Sequence, residues 1–391
     1  MDKASDIVIV AARRTPMGGF LGDFRDVPAA TLGAAAIRAA SVDAGLGAAD
    51  ADGVIMGCVL PAGQGQAPAR QAALGAGLSE GVPCVTINKM CGSGMKAVMD
   101  AADQLRAGSA DVLVAGGMES MSGAPYLLPK ARGGYRMGHG TVQDHMFLDG
   151  LEDAYEPGRL MGSFAEECAR HYQFTRQAQD DFALESLARA QRAIGNGAFE
   201  AETTPVEVRG SAIRIDEQPG KARPDKIPHL KPAFAKDGTV TAANASSISD
   251  GAAALVLMRR ETAEARGAAP LATLLGHATH AQAPAWFATA PVPAMQALME
   301  RTGLTVADVD LFEINEAFAV VTMAAMHELG LDHARVNANG GACALGHPIG
   351  ASGARVMVTL LHALKARGGG TGIASLCIGG GEATAVALRV P

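Results

Sequence analysis

The sequence predicts an α/β fold made of two similar halves, with a segment of different character set between them. Three observations carry this. Short apolar runs alternate with helix-like patterns over most of the 391 residues, as βα units require. A passage near the start recurs near the end. The composition, 48% hydrophobic and 19% charged with 48 glycines, provides for a large core and many tight backbone turns. A chain of this length exceeds one simple core.

The elements follow in order. Ile7 to Ala12 reads as a strand, Ala29 to Ala44 as a helix, Gly53 to Leu60 as a strand and Ala67 to Leu78 as a helix. Val85 to Asn88 continues as a strand, Gly94 to Ala107 as a helix and Asp111 to Ala115 as a strand. Runs this apolar suit strands buried on both faces in a parallel or mixed sheet. From Glu119 to Ser249 the pattern changes to Pro, Gly, Met, Tyr and scattered charges, with one long amphipathic stretch from Ala165 to Asn196. This segment reads as an insertion lying over the body. The βα rhythm resumes with Ala252 to Met258 and runs to Leu388.

The recurring passage is Cys-Gly-Ser-Gly-Met-Lys-Ala-Val from Cys91, leading to Gly-Gly-Met-Glu at Glu119. Its counterpart is Gly-Ala-Ser-Gly-Ala-Arg-Val-Met from Gly350, leading to Gly-Gly-Gly-Glu at Glu382. Both read as small-Ser-Gly, apolar helix, apolar strand, glycines and Glu, the mark of an internal duplication. A site between two such halves draws residues from both.

Charge and cysteine usage exclude several classes. The net charge of -7 lacks long blocks of one sign, so nothing points to nucleic acid or an anionic membrane as partner. No apolar run reaches the roughly 18 to 20 residues of a membrane span, and the first residues do not resemble a signal peptide, so a cytoplasmic protein is expected. The six cysteines, Cys58, Cys84, Cys91, Cys168, Cys343 and Cys377, form no CxxC pairs, against a disulfide framework or a zinc site.

Four groups remain as candidates for chemistry. Cys91 sits where a helix begins near Gly92 or Ser93, and free N–H groups there favour a thiolate; a small core residue beside a turn is the alternative. His347 lies in a glycine-rich loop before a helix, stiffened by the following proline, as a general base would be held. A phosphate-cradling loop is the alternative, although the run lacks a P-loop ending. Cys377 closes an apolar strand, Gly372 to Leu376, before three glycines, a common place for site residues and also for core cysteines. Asn315 and Glu316 follow the strand Asp310 to Ile314 and open a helix, so Asn315 is either an N-cap or a group that fixes a water or substrate oxygen.

Taken together, these motifs resemble one family, the thiolases. Cys-Gly-Ser-Gly around Cys91, Asn-Glu-Ala-Phe-Ala from Asn315, Gly-His-Pro-Ile-Gly around His347 and Cys-Ile-Gly-Gly-Gly from Cys377 match its signatures in order. Asn-Ala-Ser-Ser-Ile-Ser-Asp-Gly-Ala-Ala-Ala from Asn244 extends the match to nearly the whole chain. Within the family the chain is most similar to the acetyl-CoA acetyltransferases.

The resemblance implies a thiolase fold, with duplicated βαβαβαββ halves in a five-layer αβαβα arrangement. Residues 1–119 with 250–270 would form the N-terminal half, 120–249 an inserted loop domain covering CoA, and 271–391 the C-terminal half. It implies Cys91 as nucleophile, deprotonated by His347, and Cys377 as the base that takes a proton from the second acetyl-CoA. His347 and a water held by Asn315 would face the enolate, and the backbone N–H groups of Cys91 and Gly379 the tetrahedral intermediate. Leu151, Met161, Phe234, Ala242, Ser246 and Phe318 would line the pantetheine channel, with Lys221 and Arg223 as candidates for the CoA phosphates. CoA and acetyl-CoA enter as substrates, with no bound cofactor or metal, and a homo-oligomer, dimer or tetramer, is implied.

One departure bears on specificity. Many biosynthetic members carry histidine where this chain has Leu160, so that contact should be apolar here or come from elsewhere. Trp286 and Phe287 precede a segment resembling an acyl-pocket loop, where bulk favours a short chain. Reversible condensation of two acetyl-CoA to acetoacetyl-CoA is therefore the leading expectation. Cleavage of longer or aromatic 3-ketoacyl chains in β-oxidation comes second, and a non-catalytic acyl-CoA or lipid-binding relative last.

Overall fold

The computed structural model describes residues 6–391. Its strands are β1 (Ile7–Arg14), β2 (Gly18–Gly19), β3 (Gly53–Gly57), β4 (Cys84–Ile87), β5 (Val112–Ser120), β6 (Tyr126–Leu127), β7 (Gln143–Asp144), β8 (Val206–Val208), β9 (Ser211–Ile213), β10 (Ser249–Arg259), β11 (Ala272–Ala281), β12 (Leu311–Ile314), β13 (Gly370–Ile378) and β14 (Glu382–Val390). The helices are α1 (Ala29–Asp43), α2 (Pro68–Gly75), α3 (Ser93–Arg106), α4 (Met161–His171), α5 (Arg176–Gly195), α6 (Glu217–Lys221), α7 (Arg260–Ala265), α8 (Pro291–Thr302), α9 (Ala319–Leu329), α10 (Ala342–Leu345) and α11 (Ile349–Ala366).

The duplication read from two short passages extends to the topology. In the first half β3 runs parallel to β5, β5 antiparallel to β10, and β10 antiparallel to β1. In the second, β12 runs parallel to β13, β13 antiparallel to β14, and β14 antiparallel to β11. The half-sheets meet where β1 pairs with β11 over Val8–Thr273 and Ile9–Ala272. β4 adds an outer edge strand beside β3.

The period of two along each strand builds the layers. Ile7 and Ile9 of β1 enter one core while Val8 and Val10 enter another. In β10, Leu255 and Leu257 join the first core, and Val256 and Met258 the second. In β14, Val386 and Leu388 join the first, and Ala385 and Ala387 a third. The first core holds α3 and α11 between the half-sheets. The second covers one outer face with α1 and α2, and the third the opposite face with α8. Helix, sheet, helix, sheet and helix are the five layers expected. Strands buried on both sides read as unbroken apolar runs, and α11, buried almost throughout, is apolar around most of its circumference.

α3 and α11 cross with their backbones nearly touching. A Cβ on Gly94 would stand 2.7 Å from the Ala354 nitrogen, and one on Gly353 only 2.3 Å from the Met95 nitrogen. Each helix starts at a candidate site motif, so this crossing sets the distance between them.

The segment between β5 and β10 occupies the connection that in the second half is the short turn at Gly379–Gly381. It is pinned by Arg14 of β1, fully buried, whose guanidinium donates to Asp216 at 2.7 and 2.9 Å and pairs with Glu202. Thr359 of α11 also donates to Glu202, at 3.1 Å. The long amphipathic stretch is two helices, not one. The chain breaks at Tyr172–Thr175, where Gln173 takes φ 54° and the Thr175 side chain caps α5 by accepting from the Ala178 N–H. The helix expected to open at Asn315 starts later, at Ala319, after an extended Phe318. Asn315 is therefore not its N-cap. Among the described residues, no helix is long and apolar enough to cross a membrane.

Gly353→Ala should lower stability by about 1–3 kcal/mol, the usual cost of overpacking, because backbone rather than a flexible side chain blocks the methyl. Urea unfolding beside the unaltered protein measures this, and an unchanged midpoint would refute the close crossing.

Candidate active site

Cys91 is the residue before the Gly92 cap of α3. A compact turn presents it: Asn88 Oδ1 accepts from the Met90 N–H at 2.9 Å, the Lys89 N–H donates to Ser93 Oγ at 2.8 Å, and Ser93 Oγ donates to the Met90 carbonyl at 2.6 Å. Met90 takes φ 47°, a left-handed conformation costly for a side-chain residue. The turn places the half-buried thiol against its own backbone N–H and that of Gly379. Gly379 opens the β13–β14 turn, which Gly380 and Gly381 complete at φ 93° and 86°.

His347 stands between α10 and α11. Its N–H donates to the Ser247 carbonyl at 3.1 Å, and its Nδ1 lies 2.6 Å from Ser352 Oγ. Ser352 donates its one proton to the Pro348 carbonyl at 2.9 Å. The proton between Ser352 and the ring therefore belongs to Nδ1, and Nε2 is left as the basic nitrogen. Among the described residues, this Nε2 is buried without a hydrogen-bond partner.

Cys91, His347, Cys377 and Gly379 border one cavity of about 360 Å³. Leu151, Met161, Phe234, Ala242, Ser246 and Phe318 border it too, as does Leu160, which makes that wall apolar. Ser246 Oγ donates to the Ala317 carbonyl at 2.9 Å. Phe287 is buried and lines the cavity, whereas Trp286 turns outward against His171, ring centroids 5.0 Å apart.

Four predicted residues stand elsewhere. Asn315 is fully buried behind the histidine, its Nδ2 at 3.5 Å from His347 Nδ1. Lys221 pairs with Glu217 on α6 and Arg223 with Asp225, and neither lines the cavity. Glu316 is structural: it accepts from Ser186 Oγ at 2.7 Å, Asn337 Nδ2 at 2.8 Å and the Cys343 N–H at 3.0 Å.

Burial keeps this site uncharged at rest. It pushes the Cys91 thiol up to about 11, against the pull of the two N–H groups, so a helix start alone does not ionise it. Cys377 is raised well above the usual thiol range by burial and by neighbouring Cys91. His347 is lowered to about 3, chiefly by burial and secondarily by the Arg355 charge. Such a pair exchanges a proton only as a substrate oxygen takes up the charge.

Two supporting groups escaped sequence reading. Glu119 accepts N–H bonds from Val59, Leu60 and Gly350 at 2.9, 3.1 and 2.8 Å, and burial raises it to about 7. It thus ties a first-half loop to the start of α11. Ser352 was visible only as part of the repeat, five residues after the histidine it orients.

The comparisons agree with this geometry. Residues 7–261 match the thiolase N-terminal domain and residues 268–390 the thiolase C-terminal domain. The chain is a thiolase. This thiolase is 50% identical over 389 residues to an acetyl-CoA acetyltransferase of Pseudomonas aeruginosa, covering 98% of this chain and 99% of the relative. It is also 50% identical to an acetyl-CoA acetyltransferase of Escherichia coli, with 98% of each covered. The Acat5 thiolase of Ascaris suum, solved in complex with coenzyme A, superposes with a TM-score of 0.95 at 42% identity, covering 99% of this chain and all of that one. The acetyl-CoA acetyltransferase of Bacillus anthracis superposes at 0.96 with 40% identity over the full length of both.

Alkylation of Cys91 by iodoacetamide should quicken with pH beyond pH 8, about tenfold per unit, since the thiolate fraction rises until pH passes about 11. Following the rate by mass spectrometry from pH 6 to 10 checks this; a plateau from pH 7 would reveal a resting thiolate–imidazolium pair instead.

Proposed function

We propose that this thiolase is an acetyl-CoA C-acetyltransferase, condensing two acetyl-CoA to acetoacetyl-CoA and CoA in a reversible ping-pong reaction. One observation carries the reading: two thiols and an unpartnered imidazole nitrogen face the same cavity beside a backbone N–H.

The proton accounting is as follows. Cys91 passes its proton to His347 Nε2 as sulfur attacks the acetyl carbonyl, and the N–H groups of Cys91 and Gly379 receive the oxyanion. The departing CoA sulfur takes the Cys377 proton. Cys377, now a thiolate, removes a methyl proton from the second acetyl-CoA. The enolate oxygen faces Nε2–H of the imidazolium, with Asn315 behind it. Carbon attacks the Cys91 thioester, and the released thiolate recovers its proton from His347. Every group ends as it began. Burial that penalises isolated charge makes these transfers favourable only when a substrate oxygen shares them.

The cavity supports a short acyl group. Phe318 meets Phe234 and Phe287 edge to face, with centroids 6.0 and 6.3 Å apart, and bulk at this wall favours a short acyl chain. Pantetheine would pass Leu151, Met161, Ala242 and Ser246. The edge strand β4, with Val85 47% exposed, leaves backbone groups free to pair with another strand, which supports a homo-oligomer.

Thiolysis of acetoacetyl-CoA should exceed that of longer 3-ketoacyl-CoAs in kcat/KM, and Cys91→Ala should abolish it. A preference for longer chains would transfer the enzyme to β-oxidation. Cys377→Ala should slow acetyl exchange between CoA molecules only modestly, because a thiolate can depart without a proton, yet lose condensation by roughly 10²–10⁴-fold, the usual contribution of a positioned acid or base; normal condensation would refute the role of Cys377.

A further inference from the structure

Helix α11 carries a second polar residue facing the site, and neither the motifs nor the reaction above account for it. Arg355 is fully buried in the central layer. Its guanidinium donates from Nη1 to Glu313 Oε1 at 3.0 Å and from Nη2 to Asn315 Oδ1 at 3.4 Å. Glu313 and Asn315 are alternate residues at the end of β12, and Arg355 spans both. It lies three residues after Ser352, so the two share a face of α11: Ser352 reaches His347 and Arg355 reaches Asn315.

We propose that Arg355 is a positioning residue for the carbon–carbon bond-forming half of the reaction, acting through Asn315. Arginine has only donors, so the carboxamide atom facing it is the oxygen. That choice turns the amide Nδ2 toward His347, where the structure places it 3.5 Å from Nδ1. The terminal torsion of asparagine is soft. Without the guanidinium, rotation by half a turn would turn the amide oxygen toward His347 and withdraw the N–H expected to hold a water for the enolate. Glu313 is needed for the same reason. A buried cation without a counter-ion would be costly and would repel the imidazolium, and the proximity of Arg355 already disfavours imidazole protonation.

This inference rests on the thiolase reading, and its test separates the two half-reactions. Acetyl exchange between acetyl-CoA and labelled CoA uses Cys91, His347, Cys377 and the Gly379 N–H and does not need the Asn315 amide. Condensation, and deuterium entry into the methyl of acetyl-CoA, pass through the enolate. Arg355→Lys keeps a charge beside Glu313 but cannot span to Asn315. It should leave exchange within about threefold, while condensation and deuterium entry fall roughly 100-fold, the scale of losing one oxyanion donor. In an Asn315→Ala background the same change should cost nothing more, because the two act as a unit. Equal loss in both half-reactions, or full additivity with Asn315→Ala, would mark Arg355 as structural only and overturn the proposal. If Arg355→Lys does not accumulate as folded protein, Arg355→Met combined with Glu313→Leu replaces the ion pair by apolar groups without a stranded charge, and the same split is expected. Failure of the unaltered enzyme to exchange acetyl groups at all would overturn the thiolase reading, and this proposal with it.

Discussion

The site depends on one contact between main chains, the crossing of α3 and α11 at Gly94 and Gly353. α3 begins at the Cys91 turn, and α11 begins just after His347 and carries Ser352 and Arg355. With a side chain at either glycine the helices would stand further apart, and a proton could not pass directly between sulfur and imidazole. The two half-sheets clamp the helices from either side, so the position of each catalytic loop follows from the packing of a whole layer. Precision of this kind suits chemistry in which a misplacement of about 1 Å is costly.

Around that contact the protein withholds charge. A thiol, a second thiol and an imidazole are all buried into their neutral forms, and the Arg355 guanidinium nearby is buried in a hydrogen-bonded pair with Glu313. The polar groups that remain are backbone N–H groups and one nitrogen without a partner. Such a site gains little by ionising alone and much by ionising against a substrate oxygen, the condition for binding a transition state more tightly than a substrate.

Much of this was legible in the sequence. Cys91, His347 and Cys377 sit at junctions where the backbone must turn sharply, and the glycines and proline that make those turns lie within a few residues of them. The layered fold was legible because strands buried on both faces read as unbroken apolar runs. What stayed hidden is decided by partners distant in sequence. Ser352 and Arg355 look like ordinary helix positions until the loop before α11 and the end of β12 come to meet them. Trp286 and Phe287 are adjacent aromatics, and only the packing of α4 sends one outward and one into the cavity. The pairing of Lys221 with Glu217 one turn away was not visible either. The break between α4 and α5 is made by Thr175 and by Gln173 in a left-handed conformation, and neither interrupts the apolar pattern enough to be seen.

The unequal fate of one connection in the two halves has a further consequence. In the second half β13 passes to β14 through three glycines, and that turn places an N–H against the Cys91 thiol. In the first half the corresponding connection has grown into most of the chamber wall. Reactivity and selectivity are therefore carried by separate copies of the same ancestral hairpin. Leu151, Leu160 and Phe234 line the cavity from this segment, so substituting them would reshape the chamber without altering the glycine turn.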